Sequence, residues 1–142
     1  MASPKPFETN AFDLTPEEKH ENLVDVKTML VIAGSRIQKA KDVGASRNDW
    51  LKTLNLVNDA LILAEDPDAC DPTDAPVITC HLYAGDCLLA LNKESRAYSE
   101  YEKAATGVPH AFIDQPSVEI AAKRMQEMQV KPKEEASTKP PS

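Results

Sequence analysis

Three cysteines and a histidine are the residues of this sequence that could bind a metal or act as nucleophiles. Cys80, His81 and Cys87 lie close together, and Cys70 precedes them. Zinc sites use cysteine spacings of two to four residues, whereas Cys80 and Cys87 would lie about 10 Å apart along one helix face. Adjacent helical residues also point apart, which disfavours a nucleophilic Cys–His pair. We therefore predict no metal site and no catalytic residues, with the cysteines packed as small apolar groups.

An acidic loop is the second candidate site. The segment 65–76, EDPDACDPTDAP, brings Asp66, Asp68, Asp71 and Asp74 close together. A calcium-binding EF-hand loop needs alternate acidic residues, a central glycine and a terminal glutamate, and this segment lacks that pattern. We expect the loop to be solvated and to cap the flanking helices. The four glycines of the chain are scattered rather than grouped into a phosphate-binding loop, so the sequence predicts no cofactor.

The composition and charge limit the class of protein. Hydrophobic residues make up 42% of the 142 residues but aromatic residues only 5%, which favours helix packing over a β-sandwich or barrel. The formal charge of −7 repels phosphate, so we expect no nucleic-acid partner. No apolar run approaches the roughly 20 residues that span a bilayer, so we expect no membrane partner. An odd number of cysteines, without a recognisable export signal, favours the cytoplasm, with the nucleus as the alternative.

Two long helices are predicted first. Thr15 caps the first helix through a capping box with Glu18, and Gly44 ends it. Between them an apolar stripe recurs at steps of three and four, formed by Leu23, Val26, Leu30, Ala33, Ile37 and Ala40. We expect Gly34 to allow another helix to approach closely. Ser46 caps the second helix, whose apolar face contains Trp50, Leu54, Val57, Leu61 and Ala64.

Three shorter helices complete the prediction, at about 75–91, 93–106 and 116–129. The last presents an apolar stripe, with Lys123 and Arg124 on its polar side. Residues 1–14 are predicted to be a flexible N-terminal arm, residues 15–130 the helical domain and residues 131–142 a disordered tail. The predicted fold class is all-α, with about five helices arranged as antiparallel helical hairpins and a C-terminal capping helix.

Small residues recur at fixed intervals along the third and fourth helices. Gly85 lies midway along the third helix, and it is followed by Ala97, Tyr101, Ala104 and Pro109. In this order and spacing the stretch 77–109 resembles a tetratricopeptide repeat, in which small side chains let two helices cross closely while an aromatic side chain fills the hole between this hairpin and the next. The segment 17–65 resembles a degraded unit of the same kind. The resemblance covers roughly residues 16–129 and implies a stack that binds a protein or a peptide in its concave face.

Two tyrosines are the candidate partner-binding residues. Tyr83 and Tyr98 lie off the main apolar faces of their helices, so they are candidates to line a groove, with packing between helices as the alternative. The acidic composition disfavours anionic peptide ligands. We predict a non-catalytic scaffold or adaptor that binds a protein or peptide. The alternative is a self-associating structural module, a homodimer formed through the long first helix or the last helix. A small helical enzyme is the least favoured hypothesis, because no acid, base or nucleophile is assembled.

Overall fold

A computed structural model describes the backbone of residues 13–138 and the side chains of residues 13–129. Residues 1–12 of the predicted arm and residues 139–142 of the predicted tail lie outside the described residues. Within the described part the fold is all-α, as predicted, with five helices: α1 (Pro16–Val43), α2 (Arg47–Glu65), α3 (Val77–Ala90), α4 (Glu94–Ala105) and α5 (Asp114–Thr138). None of these five helices is both long enough and apolar enough to cross a bilayer.

Helices that are consecutive in the chain pack against each other, and α3 lies at the centre of the packing. Each helix contacts the next one, and α3 also contacts α1 and α5, so α3 touches all four of the others. The first two helices are antiparallel, because Lys19 and Asn22 near the start of α1 donate hydrogen bonds to backbone carbonyls of the loop that follows α2, at 3.4 and 2.9 Å. This is the packing order expected of consecutive helical hairpins. Because α3 contacts all four other helices, it meets side chains from both the first and the last of them.

Local sequence signals define the ends of the first two helices. The hydroxyl of Thr15 accepts from the Glu18 amide while the Glu18 carboxylate accepts from the Thr15 amide, and Ser46 and Asp49 repeat this capping box on α2. Both caps are confirmed predictions. Gly44 follows α1 with a φ of 87°, a value that favours glycine because it has no Cβ atom.

The predicted apolar stripe of α1 forms one wall of the core. Five of its six members are buried: Leu23, Val26, Leu30, Ala33 and Ile37. On α3 ten of the 14 residues are buried, because this helix has neighbours on several sides. Apolar side chains of all five helices join the same core cluster, so the described helices share one hydrophobic interior.

A glycine allows α3 and α4 to cross closely. A Cβ atom on Gly85 would lie 2.6 Å from Cε1 of Tyr101, so the tyrosine ring occupies the space that any other side chain at position 85 would need. Tyr101 is fully buried, as are Ala97 and Ala104 on the same face of α4. The Tyr101 ring therefore packs against Gly85 of its own hairpin.

The last helix is longer than predicted at both ends. It begins at Asp114, two residues before the predicted start at Pro116, and its backbone continues to Thr138. It therefore extends over residues 131–138 of the segment that the sequence predicted to be a disordered tail.

Candidate functional site

Tyr83 lies at the contact between α1 and α3. A Cβ atom on Gly34 would be 2.9 Å from the Tyr83 hydroxyl oxygen and 3.2 Å from the ring carbon that carries it, so the ring end packs directly on α1. The absence of a side chain at Gly34 thus leaves room for the end of the Tyr83 ring. Tyr83 remains half-buried, and burial, together with the nearby charge of Asp86, raises the pKa of its hydroxyl. The structure thus places Tyr83 between two helices with part of its surface accessible.

Tyr98 lies at the contact between α4 and α5. Its hydroxyl oxygen accepts a hydrogen bond from Nε2 of Gln129 at 2.6 Å, and the side chain is half-buried. The two candidate tyrosines therefore border different helix pairs, α1–α3 for Tyr83 and α4–α5 for Tyr98. Each is held by a neighbouring helix, and partner binding by either of them stays a prediction.

Asp86 is a buried carboxylate that joins four helices, and the sequence did not single it out. Its Oδ1 accepts from the hydroxyl of Tyr101 at 2.6 Å and from Nε of Arg124 at 3.0 Å, while Nζ of Lys41 lies 3.7 Å from Oδ2. Lys41, Asp86, Tyr101 and Arg124 belong to α1, α3, α4 and α5 respectively. Arg124, which was predicted to lie on the polar side of the last helix, is half-buried because it pairs with this carboxylate.

The charges of this Asp86 cluster perturb its members. Burial and the adjacent carboxylate raise the pKa of Tyr101 well above its ordinary value, so its hydroxyl stays protonated and donates. Burial alone would lower the pKa of Arg124, but the charge and hydrogen bond of Asp86 raise it. The positive charges of Arg124 and Lys41 compensate the buried carboxylate, which connects α3 with α1, α4 and α5. We assign Asp86 a structural role.

His81 is held between two carboxylates. Its Nδ1 lies 2.7 Å from Oε1 of Glu100 on α4, and its Nε2 lies 3.6 Å from Oε2 of Glu65 at the end of α2. The hydrogen bond from His81 lowers the pKa of Glu100, so that carboxylate stays ionised and the imidazole donates to it. This buried imidazole therefore links α2, α3 and α4, with a carboxylate beside each of its ring nitrogens.

Asp114 caps a helix that lies far from it in sequence. Its two carboxylate oxygens accept from the backbone amides of Ile78 and Thr79, at 3.3 and 2.9 Å, and Oδ1 also accepts from the Thr79 hydroxyl at 2.6 Å. The residue at the N-terminal boundary of α3 is Pro76, which provides no side-chain cap. The hydroxyls of Thr79 and Ser117 lie 2.9 Å apart and complete the cluster. Asp114 therefore supplies from α5 the cap that α3 lacks.

The three cysteines are free and buried. Burial is the main cause that raises the pKa of each thiol, to about 12 for Cys87 and further for Cys80. A thiol with a raised pKa is a poor nucleophile at neutral pH. In the described part of the chain, no three His, Cys, Asp or Glu side chains are grouped so that they could hold a metal ion.

Apolar side chains are exposed on the long first helix and in the loop before α5. Val24 and Val31 of α1 are 47% and 69% exposed, and Phe112 is 86% exposed. Residues 24 and 31 are seven apart and therefore share one face of α1, and Val31 is one turn before Gly34, which contacts Tyr83. We call Val24, Val31 and Tyr83 the α1–α3 face. No protein-family model, curated protein or solved structure matches this chain, so a functional proposal rests on the geometry described above.

Proposed function

We propose that this chain is a non-catalytic helical scaffold that binds a protein or a peptide. The observation that carries the proposal is the α1–α3 face, where two exposed valines share one face of α1 and Val31 lies one turn before Gly34, the residue that meets the half-buried Tyr83. Apolar side chains grouped on one side of an exposed helix are typical of surfaces that another molecule covers, with aromatic residues as anchors. Tyr98, at the edge between α4 and α5, is the second proposed contact.

The internal bonding of the polar groups supports a non-catalytic role. Every buried side-chain nitrogen and oxygen among the described residues has a hydrogen-bond partner within the protein. The buried groups with the most reactive chemistry, His81 and Asp86, connect helices to one another. A general base or nucleophile has to face a substrate, whereas these side chains face other protein groups.

We also propose that the hairpins form a tetratricopeptide-like stack. The proposal is supported by the close packing of Gly85 on Tyr101 and by contacts between alternate helices, α1 with α3 and α3 with α5. Cytoplasmic location, or nuclear as the alternative, belongs to the same proposal and is supported by the three free cysteines.

Affinity capture from native cell extract tests the scaffold proposal. We would compare the wild-type chain with the double variant Val24→Gln/Val31→Gln and with a matched control, Ile62→Gln. Ile62 lies on α2 and is 68% exposed, so its replacement removes a similar apolar surface elsewhere. We expect the double variant to lose a bound protein that the control retains, with melting temperatures unchanged. Equal capture by all three chains would contradict the α1–α3 face, and Tyr98→Ala tests the second contact separately.

Self-association is the alternative function, because a second copy of the chain could cover the same exposed valines. Light scattering after size exclusion, over a wide range of protein concentration, separates the two functions. A dimer that Val24→Gln/Val31→Gln converts to a monomer would favour the structural homodimer. A monomer at every concentration would contradict it.

A further inference from the structure

The charge of this acidic chain is distributed unevenly. From Leu54 to Asn92 there are seven Asp or Glu residues and no Lys or Arg. From Gly34 to Thr53 there are five Lys or Arg and two Asp, a formal charge of +3 within a chain of charge −7. The second segment comprises the last turns of α1, the turn at Gly44 and the first turns of α2. The α1–α2 turn is therefore a basic region on an acidic protein.

A groove of about 340 Å³ lies at this turn. Arg36 and Lys39 line it from α1, and Trp50 and Lys52 line it from α2, with Gly44 between them. A Cβ atom on Gly44 would meet no other atom within 4 Å, so the turn leaves the groove open on that side. We call this the turn groove. Its volume is at the lower end of the range typical of ligand-binding sites.

The cations of the turn groove are available for a ligand. No carboxylate of the described residues lies within 4.0 Å of Arg36, Lys39 or Lys52. The groove has one acidic lining residue, Asp49, whose carboxylate accepts from the Ser46 backbone amide at 3.4 Å as part of the α2 cap. Three positive charges therefore face one negative charge that is already hydrogen-bonded, and an anionic partner would gain attraction from all three.

Trp50 gives the turn groove an apolar wall. Its side chain packs against the hydrophobic core and is half-buried where it lines the groove. Tryptophan is enriched among residues that anchor binding partners because it offers a large, rigid apolar surface. A ligand that suits this site combines negative charge with an apolar side chain.

We propose that the turn groove binds an acidic peptide segment, with carboxylates on Arg36, Lys39 and Lys52 and one apolar side chain against Trp50. The proposal rests on the scaffold function and names the chemistry of one partner. The overall acidity of the chain had suggested that anionic peptides are disfavoured, but the local charge of the turn has the opposite sign. A short peptide fits within the basic region, whereas a nucleic-acid strand would extend from it toward the acidic remainder of the protein.

Fluorescence of Trp50 provides a direct assay, because it is the only tryptophan in the chain. The probe is an acetylated and amidated peptide with one leucine flanked on each side by two glutamates. We expect a saturable change in emission, with an affinity that falls as NaCl is raised from about 0.05 to about 0.2 M. Lys39→Glu/Lys52→Glu should weaken binding by roughly tenfold or more, since two attractions become repulsions.

The control variant is Lys27→Glu/Lys123→Glu, which makes the same charge change at exposed residues outside the groove. Lys27 lies on α1 about 18 Å along the helix axis from Lys39, and Lys123 lies on α5. This variant should bind the peptide with nearly wild-type affinity. If both double variants lost binding equally, the net charge of the protein would explain the loss, and the proposal would be overturned.

Three other results would overturn it: no saturable signal at millimolar peptide, equal binding of a peptide with glutamine in place of glutamate, and equal binding of an oligothymidylate of the same charge. The scaffold function is judged by a different measurement. A protein captured from extract through Val24 and Val31 and retained by Lys39→Glu/Lys52→Glu would leave that function standing while the groove assignment failed.

Discussion

Replacing Gly85 by alanine would place a methyl carbon 2.6 Å from Cε1 and 2.7 Å from Cδ1 of Tyr101. Carbon atoms in contact prefer separations of about 3.5–4.0 Å, so one of the two side chains has to move. Tyr101 is fully buried and its hydroxyl donates to Asp86 at 2.6 Å. The ring therefore cannot move aside without losing core contacts or this hydrogen bond.

The expected change in the free energy of unfolding is the sum of two opposing effects. Alanine in place of glycine stabilises a helix interior by about 1 kcal/mol, whereas overpacking a close-packed core costs about 1–3 kcal/mol. Because the buried Tyr101 ring cannot move aside, we expect a packing cost in the upper part of that range of about 1–3 kcal/mol. After the gain in helix propensity is subtracted, Gly85→Ala should lower the free energy of unfolding by about 1–2 kcal/mol. At roughly 3–4 °C per kcal/mol for a chain of this length, the melting temperature should fall by about 3–8 °C.

Gly34→Ala is a matched control, because it makes the same substitution in a helix beside a tyrosine. The closest atom there is the hydroxyl oxygen of Tyr83 at 2.9 Å, the far end of a half-buried side chain that can shift toward solvent. The gain in helix propensity should then equal or exceed the packing cost, and stability should change by less than about 1 kcal/mol.

Urea and thermal denaturation followed by circular dichroism would measure both variants against the wild type. If Gly85→Ala were as stable as the wild type, the close α3–α4 crossing would not constrain the fold as reasoned above. If Gly34→Ala lost as much stability as Gly85→Ala, the distinction between a fixed and a movable tyrosine would be wrong.

Three further predictions concern the polar and thiol groups. Asp114→Ala should lower the free energy of unfolding by about 2 kcal/mol or more, because it removes the cap of α3 and bonds to buried groups. Asp114→Asn keeps one acceptor oxygen and should lower it by less. Urea denaturation measures both variants, and equal losses would argue against capping. The lowered pKa of Glu100 means that its contribution to stability is present above its unfolded pKa of about 4.3 and is lost as the pH falls through the folded value. The wild-type melting temperature should therefore fall more steeply below about pH 4.3 than that of Glu100→Gln, and parallel curves would refute the pairing with His81. All three thiols should react slowly with a disulfide reagent at neutral pH and fully in denaturant, because they are buried and the pKa of Cys87 is raised to about 12; fast reaction of the folded chain would contradict this burial.

Local features of this fold could be predicted, because their cause lies within a few residues. The capping boxes at Thr15 and Ser46 each join a residue to the third residue after it, and the buried stripe of α1 repeats every three or four residues. Gly85 and Tyr101 could be singled out because the spacing of small and aromatic residues resembled a known repeat, but their direct contact was not predicted. These signals can be read along the chain without knowing which helices meet.

The polar clusters could not be predicted, because their members are distant in sequence. Arg124 bonds to Asp86 from 38 residues away, and Asp114 bonds to Thr79 from 35 residues away. Hydrophobic periodicity identifies the face of a helix that is buried, but it does not identify the charged side chain on another helix that will meet it. The turn groove was missed for a related reason, since the composition of the whole chain concealed a local excess of positive charge.

The cap that Asp114 places on α3 affects how the protein is assembled during synthesis. The first turn of α3 leaves the ribosome well before residue 114, and its backbone amides gain their partner only when the start of α5 arrives. A chain cut after Pro109, where the repeat-like pattern ends, would contain all of α3 and α4 but would lack the carboxylate that closes α3. The segment 77–109 is therefore not expected to fold as an independent module, because the cap of its first helix comes from the helix that follows it. A hairpin inserted between α4 and α5 would carry Asp114 away from the amides of Ile78 and Thr79, so this connection of the chain is poorly suited to insertions.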